Sequence, residues 1–219
     1  MINDPIRTKV LSIKIIPNAQ QSLLDAMGVP QGHRSLGLIT TDSDDVSYAA
    51  LDEATKKARV EVVYARSMYA GAANANTALA GEFLGILSAD DPEEVKSGLN
   101  AAVSYIENDA CFYSANSDGS VCYFAQCISR TGSYLSKMAD VPEGTAMAYL
   151  IAPPLEAVYG LDAALKMADV EMKVFYGPPT ETNFGGGLLV GDQAACKAAC
   201  NAFADTVCRI AADPLGMTV

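Results

Sequence analysis

Two tandem α+β domains, each a small mixed sheet with flanking helices, are what the sequence predicts, and three repeated stretches predict them. Leu51 to Val63 reads LDEATKKARVEVV, and Leu161 to Val174 reads LDAALKMADVEMKV. Leu51, Asp52, Ala54, Lys56, Ala58, Val60 and Glu61 thus return as Leu161, Asp162, Ala164, Lys166, Ala168, Val170 and Glu171. Upstream, Val29-Pro30-Gln31-Gly32 returns as Val141-Pro142-Glu143-Gly144; downstream, Gly85-Ile86-Leu87 returns as Gly187-Leu188-Leu189. Three anchors in one order mark an internal duplication. It divides the chain into a first domain over 1–109 and a second over 110–219.

The elements follow in order. Val10 to Ile16 reads as a strand and Ala19 to Met27 as a short helix ahead of the first unit. Ser35 to Thr40 is an apolar strand entered from the turn at Val29 to Gly32. A helix from about Ser47 to Ala58 follows, then strands at Val60 to Tyr64 and Glu82 to Leu87. Asp91 as N-cap, Pro92 at the first helical position and Glu93-Glu94 in the first turn start a helix that runs to Glu107. The second half repeats this plan: a strand at Val121 to Ile128, a short helix at Gly132 to Met138, and a strand at Ala146 to Ala152. Pro153-Pro154 then opens a helix to about Ala168, because proline is tolerated in a first turn. Val170 to Phe175 and Gly185 to Val190 form a hairpin, and Asp192 caps a helix to about Ala211. Strands with two helices over one sheet make an α+β sandwich.

The 219 residues carry 15 basic and 26 acidic side chains, a net charge of −11. This charge repels phosphate and speaks against nucleic acid while favouring cations near the surface. No apolar run reaches the roughly 20 residues a bilayer-spanning helix requires, so no membrane partner is expected. MINDPIRTK has neither the basic start nor the apolar core of a secretory leader, and the expected location is the cytoplasm. The six cysteines, at 111, 122, 127, 196, 200 and 208, form no CxxC pair; they read as reduced thiols, and no cofactor is expected. His33 is the lone histidine and reads as a turn residue. The triple glycine at 185–187 lacks a following Lys-Ser/Thr pair, and no Ser or Cys has a recognisable catalytic partner, so the chain reads as no enzyme.

The stretch AYLIAPPLEAVYGLDAALKMADVE, the hairpin GGGLLVGD and the helix QAACKAACNAF resemble the shell-protein domain of bacterial microcompartments. Two such domains in one chain, each with the usually C-terminal strand and helix placed first, resemble the tandem, circularly permuted class. RSLGLITTDSDDVSY, EATKKARVEVVYARSMYAGAA and SRTGSYLS resemble its ethanolamine-utilisation members over nearly the whole chain. The resemblance implies a homotrimer whose six domains imitate a hexagonal tile, which packs with other shell proteins into the compartment shell and has a central pore for small molecules.

Under that resemblance several residues acquire candidate roles. Lys56 and Lys166, at corresponding helix ends, resemble lysines that meet neighbouring tiles; they also suit the negative end of a helix dipole. Between Ala65 and Gly81 the first half is longer than the second, and this small, polar segment (Ser67, Met68, Tyr69, Asn74, Asn76) is a candidate pore gate, with Thr180, Asn183 and Phe184 as its second-half counterpart. Thr41-Asp42-Ser43-Asp44-Asp45 has no charged counterpart in the second half. It either caps a helix, through Ser43 or Asp45, or lines a passage for a cation such as ethanolammonium, which calls for carboxylates, an aromatic face and a hydroxyl. Asp44, Asp45 and Glu82 are the expected carboxylates, with Phe112 and Thr182 supplying the face and hydroxyl where the halves meet. Asp45 and Glu82 are also candidate ligands for a divalent metal. The alternative function is a soluble trimeric regulator that binds a small molecule or metal and builds no shell.

Overall fold

The structure, a computed structural model, describes residues 1–68, 82–178 and 180–217. Its residues cluster as two compact units: Arg7–Ala110 with Gly132–Lys137, and Met1–Ile6 with Cys111–Thr131 and Met138–Val219. We call these the first-half unit and the second-half unit.

The first-half unit holds a four-stranded sheet in the order β2-β3-β5-β4. Its strands are β2 (Val10–Ile16), β3 (Ser35–Thr41), β4 (Glu61–Ser67) and β5 (Phe83–Ala89). Helices α1 (Gln21–Ala26), α2 (Asp44–Lys57) and α3 (Pro92–Asn108) complete the half. The second-half unit holds a six-stranded sheet in the order β1-β6-β7-β8-β10-β9. Its strands β1 (Pro5–Ile6), at one edge, and β6 (Phe112–Ser114), beside it, are short; β7 (Cys122–Ile128), β8 (Ala146–Ala152), β9 (Val170–Tyr176) and β10 (Gly185–Gly191) follow. Helices α5 (Pro154–Met167) and α6 (Gln193–Ala212) pack on this sheet, and α4 (Ser133–Ala139) stands between β7 and β8 in the chain. The order β7-β8-β10-β9 repeats β2-β3-β5-β4 strand for strand, so the duplication read from the sequence is also a duplication of topology.

One detail differs from a mixed sheet: every strand pairing among the described residues is antiparallel. The crossover helix α2 does return the chain parallel to β3. However, β5 lies between β3 and β4 and pairs with both in the opposite direction. The same insertion of β10 between β8 and β9 occurs in the second-half unit.

The expected caps form. Asp91 accepts the Glu93 N–H at 2.7 Å and Asp192 accepts the Ala195 N–H at 2.7 Å. Helix α2 starts at Asp44, three residues before the expected Ser47, so the acidic pair occupies its first turn and complements the helix dipole. The N-cap Ser43 makes no side-chain capping bond; its carbonyl instead accepts the hydroxyls of Thr41 at 2.8 Å and Ser47 at 2.7 Å. Strand β4 runs to Ser67, beyond the expected Tyr64, because Ala65, Arg66 and Ser67 find ladder partners in Gly85, Leu84 and Phe83.

Helix α4 comes from the second half of the sequence, but its residues to Lys137 belong to the first-half unit. The buried Asp52 holds it there, accepting the N–H of Gly132 at 2.7 Å and of Leu135 at 2.8 Å. Burial pushes the Asp52 carboxyl upward from its ordinary range, and the two N–H donors and Lys56 pull it back. A side chain at position 132 would strike Thr55 Oγ1 and come within 2.6 Å of the Asp52 carbonyl oxygen, so only glycine fits.

Candidate functional site

The acidic stretch after β3 meets the entrance of β5. Backbone bonds fix Glu82 on both sides: its N–H donates to the Thr41 carbonyl at 2.8 Å, and its carbonyl accepts the Met68 N–H at 2.7 Å. That bracing carries the Glu82 side chain to Asp44 and Asp42, whose charges raise its pKa after the larger effect of partial burial. Asp42 is fixed in turn, accepting the Lys9 N–H through Oδ1 at 2.7 Å.

Asp44 and Asp45 are both buried. Asp44 Oδ2 accepts the Ser67 hydroxyl at 2.8 Å, and the Ser67 oxygen lies 2.9 Å from the Tyr48 hydroxyl. Since the single Ser67 proton goes to Asp44, Tyr48 is the donor to Ser67, and the three form one directed chain. Burial raises the Tyr48 pKa, which keeps this donor protonated. The Tyr48 ring meets Phe83 edge-on at 5.0 Å. Asp44 Oδ1 accepts the Asp45 N–H at 2.9 Å. Among the described residues no lysine or arginine forms an ion pair with Asp42, Asp44 or Glu82. Glu82 and the two carboxylates whose charges bear on it, with no counter-charge in an ion pair among the described residues, favour a small cation nearby.

The expected site residues divide between the units. Asp44, Asp45 and Glu82 lie in the first-half unit; Phe112 and Thr182 lie in the second-half unit. There Phe112 is buried and packs against Phe124 and Phe184, with ring centroids 5.4 and 6.1 Å apart. The carboxylates that bear on Glu82 are Asp44 and Asp42, whereas the metal pair expected from the sequence was Asp45 with Glu82. Among the described residues no group of three or more His, Cys, Asp or Glu side chains converges as a metal cage would require.

Ser67 and Met68, read as parts of a loop, are the end of β4 and its continuation, and Ser67 serves Asp44. Tyr69, Asn74 and Asn76 lie outside the described residues. Thr180, Asn183 and Phe184 form a closed turn: the Asn183 N–H reaches the Thr180 carbonyl at 3.1 Å, and the Thr180 hydroxyl reaches the Phe184 carbonyl at 2.8 Å. Lys56 lies 2.6 Å from Glu53 and 3.5 Å from Asp52; Lys166 lies 2.6 Å from Asp162. His33 hydrogen-bonds Ser88 Oγ at 2.9 Å, which ties the turn to β5.

Sequence reasoning passed over Asp42 and Tyr48 as members of this site and assigned Ser67 to the gate instead. Asp42 stood in the quoted acidic run. Neither hydroxyl signalled a tie to Asp44, because that tie depends on the ladder that brings β4 beside the start of α2.

The Glu82 pKa shift has a testable sign. A raised folded-state pKa contributes stability that is full below the unfolded value of 4.5 and is lost as pH rises through the folded value. Wild type should therefore lose stability relative to Glu82→Gln as pH climbs from about 4.5 toward 7. Denaturant midpoints measured across that range test it, and a pH-independent difference would contradict the placement of Glu82 beside Asp44 and Asp42.

A family model described as the BMC domain matches residues 35–117. The bacterial microcompartment shell protein EutL of Clostridium perfringens (strain 13 / Type A) is 62% identical to this chain, covering 99% of it and 100% of its own length. The protein of that name from Escherichia coli (strain K12) is 51% identical and covers 97% of each chain. The crystal structure of ethanolamine utilization protein EutL from Leptotrichia buccalis C-1013-b matches with a TM-score of 0.96 at 62% identity, over 99% of this chain and 100% of that one.

Proposed function

Because the chain belongs to the EutL-type family of bacterial microcompartment shell proteins, we propose that it acts as a trimeric tile in the shell of an ethanolamine-utilisation compartment. On this reading six shell domains from three chains imitate a hexagon with a central pore, and small acidic passages admit or sense small cations such as ethanolammonium. The function is structural and transport-related, without catalysis. End-to-end identity to named shell proteins, joined to a β-strand order repeated in both units, carries the tile reading. A ring of six near-equal wedges needs only three copies of a chain that contains two.

The passage reading rests on the Asp42, Asp44 and Glu82 cluster, with Asp45 beside it. A primary ammonium presents three N–H donors, which match Asp42, Asp44 and Glu82, carboxylates in no ion pair with a lysine or arginine among the described residues. The gate reading keeps the 65–81 segment and the Thr180 to Phe184 turn at the pore, and Lys56 and Lys166 at tile edges.

Two measurements test the proposal. Sedimentation of the purified protein should give three times the chain mass, and electron micrographs should show extended sheets; a chain that stays monomeric on concentration removes the tile. Asp44→Asn combined with Asp45→Asn should keep the fold by circular dichroism and weaken ethanolammonium binding in calorimetry at least about tenfold, the scale of one lost charge-assisted hydrogen bond. Unchanged affinity removes this passage and leaves the tile intact.

A further inference from the structure

Three of the six cysteines meet at one spot in the second-half unit, and the duplication locates that spot twice. Gly37, the third residue of β3, faces Ile15 of β2 and Leu87 of β5. Ala148, the third residue of β8, faces Cys127 of β7 and Leu189 of β10. The matched helix caps Asp91 and Asp192 then set Val95 and Leu99 of α3 on Cys196 and Cys200 of α6. In the first-half unit a Cβ added to Gly37 would strike Val95 and come within 2.9 Å of Leu99, so α3 rests directly on this point of the sheet. The second-half unit has a sulfur at each corresponding place: Cys127 for Ile15, Cys196 for Val95 and Cys200 for Leu99.

The contacts of the second-half unit agree with this placement. Cys196, Cys200 and Ala148 share one buried apolar cluster, against which Cys127 packs from β7. The Cys127 thiol points at the start of α6, donating to the Gln193 carbonyl at 3.8 Å; Cys196 lies about one helical turn further along. Burial, and after it the nearby Cys127, push the Cys196 thiol up to about 11. Burial followed by Cys127 and Cys196 also raises the Cys200 thiol.

The three sulfurs differ in access. Cys196 and Cys200 are 0% and 5% exposed. Cys127 is half-buried, and the charge of Lys197 opposes the rise that burial imposes on its pKa. An oxidant arriving from solvent therefore meets Cys127 first, with protonated thiols behind it. Packing at this spot asks only for small apolar groups, which alanine or valine would supply as well. Among the described residues no three such side chains converge as a metal cage, which leaves thiol chemistry between a pair.

We infer that Cys127 and Cys196 form a reversible dithiol–disulfide pair whose oxidant is a hydroperoxide. The Cys127 thiolate attacks one oxygen of hydrogen peroxide; an S–O bond forms, the O–O bond breaks, and the other oxygen leaves as hydroxide, which takes up the thiol's proton to become water. The Cys196 sulfur then attacks the Cys127 sulfenic acid. An S–S bond forms, the S–O bond breaks, and the departing hydroxide leaves as water with the Cys196 proton. Two thiols lose two electrons in all, and one peroxide becomes two waters. The bond staples α6 to β7 and closes the long loop between them, which opposes unfolding of the oxidised chain. In a reducing cytoplasm the pair rests as thiols.

The test uses the full chain, reduced and then treated with hydrogen peroxide. Two of its six thiols should disappear from a titration in denaturant, and dithiothreitol should restore both. Trypsin cuts after Lys197 and chymotrypsin after Phe124, so a double digest separates Cys196 from Cys200 and Cys127 from Cys122. The disulfide-linked peptides should carry Cys127 and Cys196. Cys127→Ser, with wild-type circular dichroism, should keep all five of its remaining thiols under the same treatment. Six thiols that persist after the peroxide has consumed free cysteine in the same buffer would make the sulfurs packing groups and overturn the pair. A bridge between other cysteines or between chains, or over-oxidation of Cys127 with no bridge, would overturn it too. The wild-type peptide map decides even where Cys127→Ser fails to fold, and none of these outcomes bears on the tile.

Discussion

Asp52→Ala is expected to lower the unfolding free energy by roughly 3 kcal/mol, because two buried N–H groups, those of Gly132 and Leu135, lose their only shared acceptor. For a chain of this length that corresponds to a fall in thermal midpoint of roughly 6–12 °C. Asp52→Asn should cost less, since its carbonyl oxygen still accepts one of the two donors while its amide faces the other. The control lies within the same chain. Asp162, the repeat of Asp52, is exposed and paired with an exposed Lys166, and exposed pairs contribute about 0–1 kcal/mol. Asp162→Ala should therefore stay within about 0.5 kcal/mol of wild type in the dilute single chain. Denaturant titrations of the three variants read both values. Equal effects at 52 and 162 would mean that Asp52 does not anchor α4.

That asymmetry marks the limit of what was legible in the sequence. The duplication, the repeated order of elements along the chain and the capped starts of α3 and α6 all rest on local signals: recurring phrases, an Asp-Pro-Glu-Glu opening, an Asp ahead of an Ala-rich run. The acidic cluster was legible in part for the same reason, since Asp44 and Asp45 are adjacent in the chain and Glu82 opens a strand. Asp52 looked identical to Asp162 in the aligned phrases, and only a contact 80 residues away along the chain distinguishes them. The extension of β4 to Ser67 was equally hidden, because a strand's end is set by the length of its partner β5 and not by its own side chains. Strands β1 and β6 are two and three residues long, too short for any periodicity to register. The family resemblance supplied the tile, which no composition or spacing in one chain could have carried.

Phe203→Ala should be the most damaging single change in the second-half unit, at about 3–5 kcal/mol for an aromatic side chain with no exposed surface. Its ring fills the space over Gly160 of α5, where an added Cβ would come within 2.7 and 2.9 Å of two ring carbons. The first half solves the same position differently. Counting from the matched caps Asp91 and Asp192, Ala102 corresponds to Phe203, and Ala50 corresponds to Gly160; both alanines are buried. One half thus pairs a glycine with a phenylalanine where the other uses two alanines. Gly160→Ala alone should cost about 1–3 kcal/mol through overpacking. Placed in the Phe203→Ala background, the same change should stabilise by up to about 1 kcal/mol, from helix propensity and partial filling of the cavity. The resulting coupling energy of about 1–4 kcal/mol is what a double-mutant cycle in denaturant measures. Additive effects would show that the ring and the glycine do not constrain each other, and that the two halves diverged at these positions independently.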